Sequence, residues 1–162
     1  MVGLASVALA ACASSAALRA AKDARYAGPR SAMLEVVAET VNARSDLRVQ
    51  RLELERGLVV TSGTGRFLDG TEEPRADGST TRSLVVTRFE IALVGSANGY
   101  RVEVTPVMLL RRPGYPAPVP LAAGDPQTPG WVVGKTEKLT LAIYDALADF
   151  RVDATKTASA AR

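Results

Sequence analysis

The chain has 162 residues, 47% hydrophobic and 23% charged, with a formal net charge of +3; this is the balance of one globular domain with tails, and no stretch reaches the roughly 18 consecutive apolar residues of a membrane-spanning helix. It contains no histidine and a single cysteine, which excludes Ser-His-Asp and Cys-His triads, imidazole zinc sites, an internal disulfide and a thiolate metal cluster. Sixteen of the 20 basic residues are arginine, and they are scattered with no dense phosphate-binding block, so no nucleic-acid partner, metal or cofactor is expected.

The chain opens with MVGLASVALAAC. Leu4 to Ala11 is an uncharged run of small and apolar residues, too short to span a bilayer and of the length of an export-signal core. Its last residues, Leu9-Ala10-Ala11-Cys12, resemble the lipobox of bacterial lipoproteins. The resemblance implies a signal peptide over 1–11, attachment of a diacylglycerol to the Cys12 thiol, and cleavage just before Cys12. Two or more acyl chains anchor stably where one does not. Ala13, not aspartate, follows the cysteine; the family's sorting rule then favours the periplasmic face of the outer membrane over the inner membrane. Residues 1–11 carry no Lys or Arg, unlike ordinary signals of this kind, so a start upstream of Met1 is a further expectation.

Residues 12–30 read as the lipidated cysteine and a flexible tether. Ala, Ser and scattered charge bury too little to order alone, and the eighteen residues 13–30 would reach about 60 Å when extended. A domain is expected over 31–152. Ser31 is the expected N-cap of a helix over 31–44, with Met33, Leu34, Val37, Ala38 and Val41 on its core face. Asp46 to Ser62 reads as a hairpin turning at Glu55-Arg56-Gly57. Leu47 and Val49 are out of phase with Leu52 and Leu54, which predicts a bulge near Gln50-Arg51 or a strand that starts late. Residues 63–82, rich in Gly, read as a mobile loop. Their Asp69, Glu72, Glu73 and Asp77 lack the spacing of a calcium loop. A third strand alternates through Val85, Thr87, Phe89, Ile91 and Leu93; Asn98-Gly99 signals a tight turn. A fourth strand runs from Tyr100 to about Arg111, with Pro106 placing it at an edge or a bulge.

Six of the nine prolines lie in 113–129, within a segment 112–130 expected as a stiff crossover. The alternative is a partner-docking strap anchored by Tyr115, Pro116, Pro118 and Trp131. A last helix is expected from an N-cap at Thr136, with Leu139, Ile143, Leu147 and Phe150 on one face, and 153–162 as a disordered tail. The order predicts an α+β two-layer domain: helix, four-stranded antiparallel meander, helix, with both helices on one sheet face.

In outline the helix at 31–44, the Glu55-Arg56-Gly57-Leu58 turn and the final helix resemble the small α+β lipoproteins that accompany outer-membrane assembly machines, such as the C-subunit lipoprotein of the β-barrel assembly machinery. These features are generic, and no binding residue is carried over. The resemblance implies a non-enzymatic accessory or scaffold subunit that meets another envelope protein. Two alternatives stand beside it. One is a lipid- or peptidoglycan-binding periplasmic module. The other is a histidine-free enzyme working through a carboxylate pair, or a Ser-Lys or Lys nucleophile. Glu90 and Glu103 are the carboxylates in question, with Arg88 and Arg101 placed to form cross-strand ion pairs with them.

Overall fold

A computed structural model describes residues 15–72, 82–122 and 124–152. Cys12, Glu73, Asp77 and the tail 153–162 lie outside the described residues. Among the described residues the fold is α+β, with three α-helices and a six-stranded antiparallel sheet. The helices are α1 (15–23), α2 (Arg30–Asn42) and α3 (Gly130–Ala146). The strands are β1 (Val49–Glu53), β2 (Leu58–Thr61), β3 (Thr64–Phe67), β4 (Leu84–Ser96), β5 (Gly99–Arg111) and β6 (Val119–Leu121). They lie in the order β1-β2-β4-β5-β6, with β3 also paired to β4.

β4 and β5 form the spine, paired without interruption from Leu84↔Arg111 to Ser96↔Gly99. Their alternation was legible, and Val85, Thr87, Phe89, Ile91 and Leu93 are all buried. The register of β1 against β2 shifts between Val49 and Arg51, so the predicted bulge falls at Gln50. Gly57, at φ +68, closes that hairpin.

The sheet has six strands where four were expected, and both additions follow from unpaired backbone. β2 covers only Glu90 to Ala92 on one edge of β4. Buried amides farther along that edge also need partners. Thr64-Gly65-Arg66-Phe67 supplies them opposite Leu84–Thr87, although only Thr64 and Phe67 are strand formers. In the gap between β2 and β3 the Phe89 N–H donates to Thr61 Oγ1 at 2.9 Å. That N–H points away from β5, so Phe89 and Pro106 face each other at a position where β5 contributes no N–H toward β4. β6 pairs only with Met108 to Leu110. Pro106 therefore lies at an edge, as expected, and costs no ladder bond. β6 arises inside the proline-rich segment: Pro120 is tolerated on an edge strand, while Leu121 is buried.

Three helix features also differ from the sequence reading. α2 starts at Arg30, with Pro29 rather than Ser31 at the N-cap. α3 starts at Gly130, six residues before Thr136, because Pro129 sets an extended entry and Val132 has a core site to fill. The Thr136 hydroxyl bonds back to the Val132 carbonyl at 2.8 Å instead of capping. Third, the stretch expected as tether contains α1 and is joined to the fold: Ala21 and Tyr26 are buried. The Tyr26 N–H donates to the Tyr100 carbonyl at 2.9 Å, and the Tyr100 N–H donates to the Tyr26 carbonyl at 2.8 Å. On the other side Ala27 N–H reaches Phe150 O, and Val152 N–H reaches Arg25 O, each at 2.8 Å. Residues 25–27 thus lie between the start of β5 and the segment 150–152.

The core has two clusters. The larger joins Met33, Leu34, Val37 and Val41 of α2, Leu139 and Ile143 of α3, and Leu147 just after it to Val59, Phe89, Ile91, Leu93 and Tyr26. The smaller joins Val85, Met108, Leu110, Leu121 and Val132, with Trp131 packed against it. Lys135 of α3 meets Asp46 at 2.9 Å and so ties α3 to the turn after α2. Among the described residues no helix is long and apolar enough to cross a membrane.

Candidate functional site

Four chain segments converge on one cleft of about 400 Å³. α3 contributes the face of its first turns: Val132, Val133, Thr136, Glu137 and Thr140. β5 contributes Pro106 and Met108, the connection before α3 contributes Gly124, Asp125 and Thr128, and α1 closes the fourth side with Leu18 and Lys22. The walls are mostly apolar. The hydroxyls of Thr136 and Thr140 donate to carbonyls one turn back, Val132 O and Thr136 O, both at 2.8 Å. Asp125 is held in a tight turn, where its Oδ1 accepts the Gln127 N–H at 2.7 Å. Thr128 Oγ1 is buried with no hydrogen-bond partner. This volume falls within the range of small-ligand sites.

A smaller groove of about 320 Å³ lies over the sheet, lined by Gln50, Gly63, Val86, Arg88, Val107 and Leu109. Here Val86 faces Leu109 and Arg88 faces Val107 across the β4–β5 ladder. Leu109 is 38% exposed. Ion pairs border it. Arg88 meets Glu90 at 3.2 Å, and Arg101 pairs with Glu103. These pairs run along single strands and not across the hairpin, because Glu90 stands opposite Thr105 and Glu103 opposite Ala92. Glu90 and Glu103 are therefore not cross-strand partners, and each carboxylate is engaged by its own strand's arginine.

The acidic loop is likewise engaged locally. Asp69 accepts the Thr71 N–H at 3.0 Å and the Thr71 hydroxyl at 2.7 Å, and pairs with Arg82. The two Thr71 bonds, with Arg82 adding to them, hold its carboxyl down at about 2. Glu72 pairs with Arg66 at 2.7 Å. Among the described residues no three His, Cys, Asp or Glu side chains are grouped to hold a metal ion.

The four residues of the suggested strap have unlike surroundings. Tyr115 is 67% exposed, in the turn between β5 and β6, and Pro116 and Pro118 beside it are exposed too. Trp131 belongs to α3 and is partly buried. Its Nε1–H donates to the Phe67 carbonyl at 3.1 Å, and the Lys135 ammonium lies 5.8 Å from its ring. Its polar atom is thus committed inside the fold, unlike that of an exposed anchor. Pro106 and Thr136 were singled out from sequence only for their backbone roles, and no residue of the cleft was named as a binding residue.

No protein-family model matches the chain, and no curated protein matches it.

Proposed function

We propose that this chain is a non-enzymatic, lipid-anchored protein of the bacterial cell envelope, held to the membrane through Cys12 and serving as an accessory or scaffold subunit of an envelope assembly. The periplasmic face of the outer membrane is its favoured site. The observation that carries this reading is Leu9-Ala10-Ala11-Cys12, placed just ahead of a helix that packs on the folded domain. The engaged carboxylates at Glu90 and Glu103, and the lack of any histidine, support binding over bond-making.

In this reading both α2 and α3 cover one face of the sheet, a placement supported by their shared cluster with Phe89, Ile91 and Leu93. The opposite face, with Val86, Val107 and Leu109 at its centre, is then the docking surface, and the exposed turn carrying Tyr115, Pro116 and Pro118 is a second contact. Metabolic labelling with an alkyne fatty acid tests the anchor. Label should enter the wild-type protein and be lost in Cys12→Ser; equal label in both, or none in either, refutes it. A photo-crosslinker at Leu109 tests the scaffold role, which predicts one discrete envelope protein adduct.

A further inference from the structure

We propose that the cleft bounded by α1, α3 and β5 takes one acyl chain of an anionic phospholipid from the bilayer to which the protein is anchored. The proposal rests on the anchor reading for the source of its lipid, and on the cleft's own chemistry for the rest. Leu18, Pro106, Met108, Val132 and Val133 give it apolar walls. The hydroxyls of Thr136 and Thr140 are spent on their own helix, so these residues add no unpaired donor to the lining. A methylene fills on the order of 30 Å³, about the share of a water, so about 400 Å³ holds roughly a dozen chain carbons. An unbranched chain suits this lining better than a peptide, whose buried amides would need partners that the walls do not supply.

Two polar groups define where the headgroup lies. Lys22 lines the same cleft and is exposed, four residues after Leu18 on α1, and its ammonium attracts a phosphate. Thr128 Oγ1, buried without a partner at the other wall, is a donor for an ester carbonyl. Glu137 and Asp125 also line the cleft and oppose an anion; the Asp125 Oδ1 accepts the Gln127 N–H.

Covalent reach supplies the membrane. The first residue of α1 lies three positions after Cys12, a span of at most about 11 Å, and Leu18 lies six positions after it, at most about 22 Å. A cleft walled by α1 therefore stays close to the bilayer surface whenever Cys12 is lipidated.

The test uses the full chain carrying Cys12→Ser, incubated with vesicles of dioleoylphosphatidylglycerol or dioleoylphosphatidylcholine, re-isolated and weighed by native mass spectrometry. One phosphatidylglycerol per chain is expected, with phosphatidylcholine retained at least several-fold less. Thr136→Trp, which fills the cleft, should lower retention at least tenfold with unchanged circular dichroism. Val133→Asp, at a position 47% exposed, repeats the test if the tryptophan variant does not fold. Lys22→Glu should abolish the preference between the two lipids. The proposal is overturned by absence of any lipid adduct, by retention that survives both cleft substitutions, or by a chain dimer that those substitutions dissolve. A lipid adduct in a protein whose Cys12 never takes fatty-acid label leaves the cleft in place and removes the anchor.

Discussion

Gly99→Ala should detach the N-terminal segment from the sheet. Gly99 sits at φ +120, and a Cβ built there comes within 2.3 Å of the Tyr26 carbonyl oxygen, closer than real Cβ atoms approach backbone. The positive φ alone costs an alanine on the order of 1–2 kcal/mol. Relieving the clash moves Tyr26, which weakens its two bonds to Tyr100, at 2.9 and 2.8 Å, each worth about 1 kcal/mol net. It also loosens a side chain that is 1% exposed in the main cluster, where complete loss of an aromatic costs about 3–5 kcal/mol. Partial relaxation puts the total near 3–5 kcal/mol, a fall in melting temperature on the order of 10 °C for a domain of this size. Urea unfolding measures the energy, and hydrogen exchange at 25–27 locates it. The double variant Gly99→Ala/Tyr26→Ala should cost more than Tyr26→Ala alone, since the backbone strain at Gly99 remains, but less than the sum of the two, since loosening of the Tyr26 side chain is common to both. A penalty under about 1 kcal/mol for Gly99→Ala, or full additivity in the double variant, refutes the reasoning.

Three further outcomes follow from the ion pairs and the open sheet face. Burial raises the Asp46 carboxyl, but Lys135 and Arg44 outweigh it and hold the group below its ordinary value. A depressed carboxyl stabilises the fold above its unfolded pKa and loses that contribution as pH falls through the folded one; Asp46→Asn should flatten the pH dependence of stability below about pH 4, read by denaturation at a series of pH values. Asp69 should titrate at about 2 by carbon-detected NMR, and Thr71→Val, which removes the hydroxyl bond that is the largest single cause, should raise it, as should Arg82→Leu. Leu109→Arg, at a position 38% exposed, should change stability by less than about 1 kcal/mol while removing the envelope crosslink formed by a photo-crosslinker at neighbouring Val107.

The elements that the sequence made legible are those whose side-chain period matches their own burial. β4 alternates from Val85 to Leu93, and α2 carries Leu34, Val37 and Val41 at helical spacing, so each reports its partner face without help from elsewhere. β3 and β6 carry no such signal. Their pairing is dictated by the unmatched length of β4 and by the Met108–Leu110 edge of β5, facts that belong to other segments. Asn98-Gly99 marked the hairpin, yet Ser96 pairs with Gly99, so the loop is Ala97-Asn98 and the glycine serves Tyr26 instead. α3 hid its first six residues behind Gly130 and Gly134, which read as breakers until Val132 is seen buried. The cleft draws on residues from 18 to 140, with no local motif, and becomes visible only when α1 is placed.

That placement changes what an anchor at Cys12 means. A free tether of about 60 Å would let the domain search a wide volume, and the anchor would supply only local concentration. With residues 15–23 helical and Tyr26 bonded to the first residues of β5, the proposed lipid would instead set orientation: α1, with exposed Arg19 and Lys22, would be held against the headgroups. Basic residues near an anionic surface contribute about 1 kcal/mol each, so they reinforce the same pose. The sheet follows, because Gly99 and Tyr100 hold the Tyr26 backbone directly. A partner that meets the open face therefore encounters Leu109 at a defined tilt to the membrane, and a variant that frees residues 25–27, such as Gly99→Ala, should weaken that encounter even though it leaves every residue of the docking face unchanged.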